Sequence, residues 1–498
     1  MAEEHPDDHH PLIRGSIQVS ARGILRRFAH LLSAEGVDGV LGVLFFLYLA
    51  WLDTTLYGEV MYALAAGGIA AKVIQFGLYY PLVTRLARTP KEDVPELIGR
   101  VVQLRLILLV PTLTAVWGIA VYRGFSTRTA AILLLICLGF ALEALADTFF
   151  ADLRVRGKQR AEAGIRVSGS ILSYGYGFLS AFAGLPPVAV AMFKIFSGIA
   201  RLVLGVRASR RGLSDGNLLG RPWTGLWGMI RAASIFALIE ILGVTYNKTN
   251  IFFLERFVGI DGVALYSATW NIVDPVSTLA SEQFLGWVIF PLLASLWVAN
   301  RQEAARLVRS AGRWLFAIAM PIMFLLYVES DSLIGLLYRD EYRSASWMQH
   351  YLIWTILLSF ENNLFAYVMM VHGAARVLLA FAAGTAFLNL LFNLFLVQPL
   401  GLAGGCLVIV LTKLAMTTMT FCYCQMRFRF FRAADFAFPI ALGAMCLLVF
   451  YLLKTTWTLH PSAALSVVLY ILLLGTVGRR LMSGGAQDRA LRRDPGPP

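Results

Sequence analysis

Fourteen long apolar stretches are the feature that most restricts what this chain can fold into. A helix needs roughly 20 mainly apolar residues to cross the hydrocarbon layer of a membrane. The composition agrees with such helices, because 58% of the 498 residues are hydrophobic and only 15% are charged. The sequence therefore predicts an all-α, multi-pass membrane protein and excludes an ordinary soluble globular protein. The predicted spans are centred near residues 45, 71, 111, 140, 175, 197, 243, 280, 320, 359, 387, 413, 445 and 471.

The lysines and arginines are divided unequally between alternate connections. With the N-terminus in the cytoplasm, 31 of the 43 fall on the cytoplasmic side, six fall outside and six fall within spans. This asymmetry follows the positive-inside rule and predicts that both termini are cytoplasmic. It accounts for the net charge of +13 without a nucleic-acid partner. The five cysteines all fall in predicted spans and suggest neither a disulfide framework nor a metal site.

Four residue landmarks, contained in three short motifs, recur in the same order some 210 residues apart. "LYGEV" at Leu56 and "YYPLV" at Tyr79 match "LYSAT" at Leu265 and "IFPLL" at Ile289. "GKQR" at Gly157 likewise matches "GAAR" at Gly373. The pattern predicts a duplicated six-helix unit whose two copies enter the membrane in the same direction, with a substrate cavity between them.

These features divide the chain into five segments. A cytoplasmic N-terminal segment (1–32) precedes a first lobe of six helices (33–231) and a second lobe of six helices (232–436). Two further helices (437–480) and a cytoplasmic tail (481–498) follow. The basic stretch from Ala21 to Leu32 is either an amphipathic helix on the inner leaflet or simply a topology signal.

The connections are too short to carry a catalytic domain. The longest outer one runs from about Glu329 to Ser346, and no Gly-rich phosphate cradle occurs in the inner ones. An ATP-driven pump is therefore not expected, and neither is an enzyme such as a membrane polymerase or glycosyltransferase.

Successive segments resemble the polysaccharide-transporter branch of the MOP exporter superfamily, the Wzx-type O-antigen and exopolysaccharide flippases. The resemblance covers roughly residues 33 to 430. It lies in "LYGEVMYALAAGGIAAKVIQFGLYYPLVTRLAR", "LRVRGKQRAEAGIR", "FLERFVGIDGVALYSATWNIVDPVSTLASEQFLGWVIFPLLASL", "LIGLLYRDEYRSASWMQHYLIW" and "FLNLLFNLFLVQPLGLAGG".

The resemblance implies a V of two six-helix bundles in the bacterial inner membrane. The implied activity is alternating-access transfer of an undecaprenyl-pyrophosphate-linked oligosaccharide repeat unit to the periplasmic leaflet. The implied partners are this lipid-linked oligosaccharide, membrane lipids, and a polymerase and chain-length regulator of the same pathway, and the protein is expected to be a monomer. The alternative is a cation-coupled multidrug antiporter of the MATE-like branch, against which the two extra C-terminal helices argue.

Charged and amide side chains within the spans are the candidate site residues. A pyrophosphate that leaves the headgroup layer needs cations along its path. We expect the substrate site to use Lys72, Lys194, Lys248, Lys413, Asn247, Asn250 and Asn362. In the structural alternative these lysines form buried ion pairs or, for Lys194 and Lys248, extend to the interface, and the amides join helices.

Acidic side chains in the spans are candidates for binding a coupling ion, H⁺ or Na⁺, and no other cofactor is expected. A desolvated carboxylate can exchange a proton near neutral pH. The candidates are Glu240, Asp274 and Glu282, together with Asp38 at the inner end of the first helix. Otherwise these acids are counter-ions of the lysines.

Overall fold

The computed structural model describes residues 21–90, 92–210, 226–278, 285–286, 289–432, 434–455 and 458–478. Within these ranges the chain forms helices and short connections and no strand. The predicted all-α fold is thereby confirmed.

The described residues of the first half of the chain form eight α-helices. They are α1 (Ala21–Leu52), α2 (Thr54–Gln75), α3 (Tyr79–Leu86), α4 (Val94–Tyr122), α5 (Thr127–Val155), α6 (Gln159–Phe182), α7 (Pro187–Ala191) and α8 (Phe193–Arg210).

The described residues of the second half form nine α-helices, and two more α-helices follow. They are α9 (Leu226–Phe257), α10 (Ile260–Thr278), α11 (Phe290–Ala299), α12 (Arg301–Val328), α13 (Ser330–Leu337), α14 (Ser346–Leu352), α15 (Trp354–Val371), α16 (Ala375–Phe392), α17 (Gln398–Phe428), α18 (Ala434–Lys454) and α19 (Leu459–Leu473).

Thirteen of the fourteen predicted span centres fall on these helices, and the centre near residue 280 lies outside the described residues. Nine stretches of the described chain are long and apolar enough to cross a membrane. One of them, Ala375–Phe428, contains two of the predicted centres. Gly401 separates these two, because its φ of 54° breaks the helical path inside α17. The count of fourteen spans stays a prediction.

Side-chain caps and glycines set several helix boundaries. The Asp53 carboxylate accepts hydrogen bonds from the backbone N–H groups of Thr55 and Leu56, which fixes the start of α2. Gly157 and Gly373 follow α5 and α15 with φ of 73° and 83°. This left-handed conformation favours glycine, and it occurs at matching positions of the proposed repeat. The boundaries of the five predicted segments stay predictions.

The two halves of the chain contact each other mainly through α2. This helix packs against α5 in its own half and against α9 and α10 in the other. A Cβ at Gly58 would lie 2.4 Å from the Ile260 carbonyl oxygen, so only glycine permits this close approach. At the other end of α2, Leu78 and Leu82 share a hydrophobic cluster with Met229 and Ala233 of α9.

The two C-terminal helices pack on the second half through α12. The Tyr470 hydroxyl of α19 donates to the Ala317 carbonyl oxygen at 2.9 Å. Arg313 of α12 pairs with Asp435 of α18. These contacts place α18 and α19 outside the region in which the two halves meet.

Candidate functional site

Two cavities lie on either side of α9. Cavity A has a volume of about 270 Å³ and lies among α9, α10, α15 and α17. Cavity B has a volume of about 380 Å³ and lies among α2, α5, α6, α8 and α9. Val244 and Lys248 of α9 line both cavities. We take the two cavities together as the candidate site. It is built from both halves of the chain, and Lys248 lies at the boundary of the two cavities.

Lys248 differs from the other lysines within the spans. Its side chain is partly exposed. It forms no ion pair or hydrogen bond with any residue that the structure describes. A lysine inside a membrane protein usually has a partner or faces water. Lys248 has the open space of the two cavities beside it.

Cavity A combines a cation, a carboxylate and amides. The ammonium of Lys413 donates to the Ser359 hydroxyl at 2.7 Å and lies 5.2 Å from the centre of the Trp270 ring. Asp274 also lines this cavity, and within the described chain it has neither an ion pair nor a hydrogen bond. The cavity thus presents both donors and acceptors.

The predicted amides take different positions. Asn247 and Asn362 line cavity A together with Asn363. Asn247 bonds through its nitrogen to the Gly243 carbonyl oxygen at 2.8 Å, while its buried side-chain oxygen has no hydrogen-bond partner within the described chain. Asn250 is fully buried, and its nitrogen donates to the Tyr266 hydroxyl at 2.6 Å. It lines neither cavity and joins α9 to α10.

Lys72 on the wall of cavity B forms an ion pair between the halves. Its ammonium lies 3.2 Å from a carboxylate oxygen of Glu240 on α9. The two side chains are 35% and 28% exposed. The pair therefore contacts the open space of the cavity.

A network of ion pairs forms the remaining wall of cavity B. Glu143 accepts from Lys194 at 2.8 Å and lies 3.2 Å from Arg201. Arg201 also pairs with Asp38 at 2.9 Å. Arg166 lies 3.4 Å from Asp147. Most of the charge in this wall is therefore balanced within the first half.

The predicted ion-coupling acids are separated in the structure. Glu240 pairs with Lys72, Asp38 pairs with Arg201, and Asp274 lines cavity A. Glu282 lies outside the described residues.

Sequence reasoning did not select Glu143, Asp147 and Arg166, which line cavity B. Glu143 and Asp147 lie four residues apart in a predicted span, a spacing that places both on one face of a helix. Two acids on one face of a span indicate a polar interior, and this signal could have identified them.

The predicted outer ends of the two halves are in contact. Thr55 of α2 donates to Asp261 of α10 at 3.1 Å. Arg123 at the end of α4 lies 2.5 Å from Glu255 of α9. The Tyr57 ring packs against Tyr342, with 6.2 Å between ring centres. In this conformation the two cavities are covered at that end.

Solved structures share this arrangement of helices. A structure described as lipid II flippase MurJ in an inward closed conformation matches with a TM-score of 0.73, at 11% identity over 90% of this chain and 98% of that one. An inward-facing multidrug resistance MATE family transporter of the MOP superfamily matches with a TM-score of 0.61, at 15% identity over 78% and 94% of the two chains. A MOP superfamily transporter from Pyrococcus furiosus, whose description reports reverse polarity of its binding pocket, gives 0.58 at 16% identity over 81% and 95%.

The fold is therefore that of the MOP superfamily, a class of multi-pass membrane transporters. Within this class, the family described as "Polysaccharide biosynthesis protein" matches residues 52–347. Because this match covers more than half of the sequence, the chain belongs to that family. No curated protein matches the sequence. The resemblance to the polysaccharide branch of the MOP superfamily is confirmed.

Proposed function

We propose that this protein is a flippase for undecaprenyl-pyrophosphate-linked oligosaccharide repeat units of a surface polysaccharide. It transfers them across the bacterial inner membrane by alternating access, with both of its termini in the cytoplasm. The protein acts as a transporter and catalyses no covalent step. The family of polysaccharide biosynthesis proteins and the fold shared with a lipid II flippase support this proposal.

The position of Lys248 is the observation that carries the proposal. This lysine lies at the boundary of cavities A and B, with Lys413 in one and Lys72 in the other. A diphosphate has two negatively charged groups, and ammonium groups bind phosphate as point charges. Because Lys248 has no partner in the described chain, it can bind the pyrophosphate without first breaking an ion pair.

Cavity A suits the sugar part of the substrate. Sugar hydroxyls donate and accept hydrogen bonds, and the side chains of Asn247, Asn362 and Asn363 do both. Trp270 adds an aromatic wall. We assign the pyrophosphate to Lys248 and Lys72 and the first sugars to cavity A.

A coupling ion, H⁺ or Na⁺, is part of the proposal. Asp274 is the first candidate, because it lines cavity A and has no hydrogen-bond or ion-pair partner in the described chain. Glu240 is the second, since its carboxylate is released if the substrate takes Lys72 from it. Asp38 has a counter-ion in Arg201 and is the weaker choice.

A MATE-like exporter of cationic drugs is the competing function, since MATE transporters share this fold. A cationic drug needs a carboxylate without a counter-ion, and cavity A does contain Asp274. The same cavity also contains Lys248 and Lys413, whose charges repel a cation. The charges at the site therefore favour an anionic substrate.

The test measures transfer of a fluorescent undecaprenyl-pyrophosphate oligosaccharide across proteoliposomes that contain the full-length protein. Replacing Lys248→Gln removes the charge and keeps a long polar side chain. We expect a loss of about tenfold or more in transfer rate, because a charge-assisted hydrogen bond contributes about 1.5–3 kcal/mol. Lys454→Gln, a lysine at the end of α18 that lines neither cavity, is the matched control.

Two results would overturn the proposal. One is transfer at the wild-type rate by the Lys248→Gln protein. The other is a clean gene deletion that leaves surface polysaccharide unchanged and lowers drug tolerance. The proposal instead expects loss of the polymer and accumulation of lipid-linked repeat units on the cytoplasmic leaflet.

A further inference from the structure

A third cavity lies away from the transport site. Its volume is about 580 Å³, and it is bounded by α12, the end of α17 and the segment that leads to α18. The Phe428 ring beside it packs against Trp297 and His372, which places the cavity at the end of the bundle where the predicted cytoplasmic connections meet. Its lining includes Arg309, Arg429, Arg432 and Met426.

The guanidinium groups at this cavity outnumber the carboxylates. Arg429 and Arg432 are exposed and form no side-chain ion pair with any residue in the described ranges. Arg309 lies 3.9 Å from a carboxylate oxygen of Asp435. Asp435 is already bound to Arg313 and to the backbone N–H of Arg432. One carboxylate therefore faces several arginines, and the cavity carries a net positive charge.

The backbone around the arginines is held in a fixed shape. The side chain of Gln425 bonds to both the carbonyl oxygen and the N–H of Phe431, at 2.6 and 3.0 Å. Arg429 between them has φ 51° and ψ 46°, a left-handed conformation that is uncommon for a residue other than glycine. Arg309 donates to the Phe430 carbonyl oxygen at 2.6 Å. The backbone that carries Arg429 and Arg432 is therefore fixed before any ligand binds, and an unusual backbone conformation held in this way often marks a functional site.

The residues that surround the cavity favour a lipid phosphate over a free anion as its ligand. Met426 lines the cavity, is 78% exposed and lies on α17, a helix within one of the apolar membrane-spanning stretches. The cavity thus joins an exposed apolar side chain to a cluster of arginines. Basic pockets between transmembrane helices on the cytoplasmic side bind anionic lipid headgroups.

We propose that the cavity lined by Arg309, Arg429 and Arg432 binds the phosphate of an anionic phospholipid of the cytoplasmic leaflet, with the acyl chains along α17. This site lies apart from cavities A and B. It is therefore a lipid-binding site separate from the one proposed for the transported substrate.

The test measures retention of phosphatidylglycerol by the purified full-length protein with native mass spectrometry. We expect the double variant Arg429→Gln/Arg432→Gln to bind this lipid at least tenfold more weakly than the wild type. The control is Arg301→Gln/Arg306→Gln, which removes the same charge from exposed arginines of α12 at the same membrane end, outside the cavity. If the double variant does not fold, the single variant Arg429→Gln replaces it in the test. Binding of phosphatidylglycerol by this single variant should also be weaker than in the wild type.

Three outcomes would overturn the assignment. Equal weakening in the control would mean that the lipid is attracted by surface charge in general. Displacement of the lipid by inorganic phosphate at an equal concentration would mean that the free anion is the ligand. Wild-type binding by the Arg429→Gln and double variants would mean that the cavity binds no lipid phosphate.

Discussion

At the scale of single residues, the charges within the helices fall into two groups. Lys194 and Arg201 share Glu143, and all three side chains are at most 14% exposed. Removing one member of such a buried set leaves an unpaired charge, which typically costs about 3–5 kcal/mol. Lys72 and Lys248 instead line the cavities and are partly exposed. The first group has to stay paired within the first half, whereas the second group borders the open space of the cavities.

Lys72→Ala should abolish transport while leaving the protein folded. Its pair with Glu240 is about one third exposed, and exposed ion pairs contribute only about 0–1 kcal/mol to stability. Lys72→Arg should retain part of the activity, because the charge survives with a different shape. Protein abundance and turnover of lipid-linked sugar are measured together, with Arg339→Ala at the opposite end as control.

A structural role for Lys72 would give the reverse pattern. Abundance would fall in Lys72→Ala and would recover when Glu240→Gln is added, because the second change removes the unpaired carboxylate. Full abundance with full turnover in Lys72→Ala would exclude both roles.

At the scale of helices, small residues decide how closely neighbours pack. A Cβ at Gly139 of α5 would lie 2.6 Å from the backbone of Lys194, and a Cβ at Gly198 of α8 would lie 2.7 Å from the Gly139 carbonyl oxygen. Glycine at both positions lets the two backbones approach, as is common where transmembrane helices pack. This close approach brings Glu143 of α5 to Lys194 and Arg201 of α8.

Gly139→Val should destabilise the protein by about 1–3 kcal/mol or more, because its added methyl groups meet backbone atoms that cannot move aside. Thermal unfolding in detergent and cellular abundance should both decrease. Gly118→Val in α4 is the matched control, since a Cβ there meets no atom within 4 Å. Equal losses in the two variants would mean that valine is harmful in these helices for a reason other than the contact of α5 with α8.

At the scale of the whole molecule, the halves are joined at the predicted outer end. Thr54 and Thr55 of α2 donate to Glu341 and Asp261 of the second half, at 2.9 and 3.1 Å. The ion pair of Arg123 with Glu255 adds a charged contact between the halves. The proposed alternating access requires all of these contacts to separate when the site opens outward.

A disulfide between Thr55→Cys and Asp261→Cys, made in a Cys422→Ser background, should stop transport. It would hold the outer ends together, and a reducing agent should restore activity. Cys422 is the exposed cysteine among the five, which makes it the one to remove. Flipping in proteoliposomes before and after reduction is the measurement, with each single cysteine as control. Undiminished flipping by the cross-linked protein would contradict alternating access at this end.

The sequence alone determined the membrane class and the helical fold, and it predicts the duplicated six-helix unit. These properties depend on local apolarity, since a helix satisfies its backbone hydrogen bonds within its own segment. Charge asymmetry likewise predicts topology from the connections alone. The same reasoning found Lys72, Lys248 and Lys413 as cavity candidates, because a lysine in an apolar span needs a polar environment wherever the helix packs.

Only the tertiary structure decided which of these side chains have partners. Lys194 and Glu143 are 51 residues apart in sequence, and Lys72 and Glu240 are 168 apart. Asn250, expected at the substrate site, instead bonds to Tyr266 within the helix bundle. Helix packing brings these two pairs to 2.8 and 3.2 Å. That packing depends on close approaches such as the one between Gly139 and Lys194. Hydropathy and charge spacing do not contain that information, because they describe each helix separately from its neighbours.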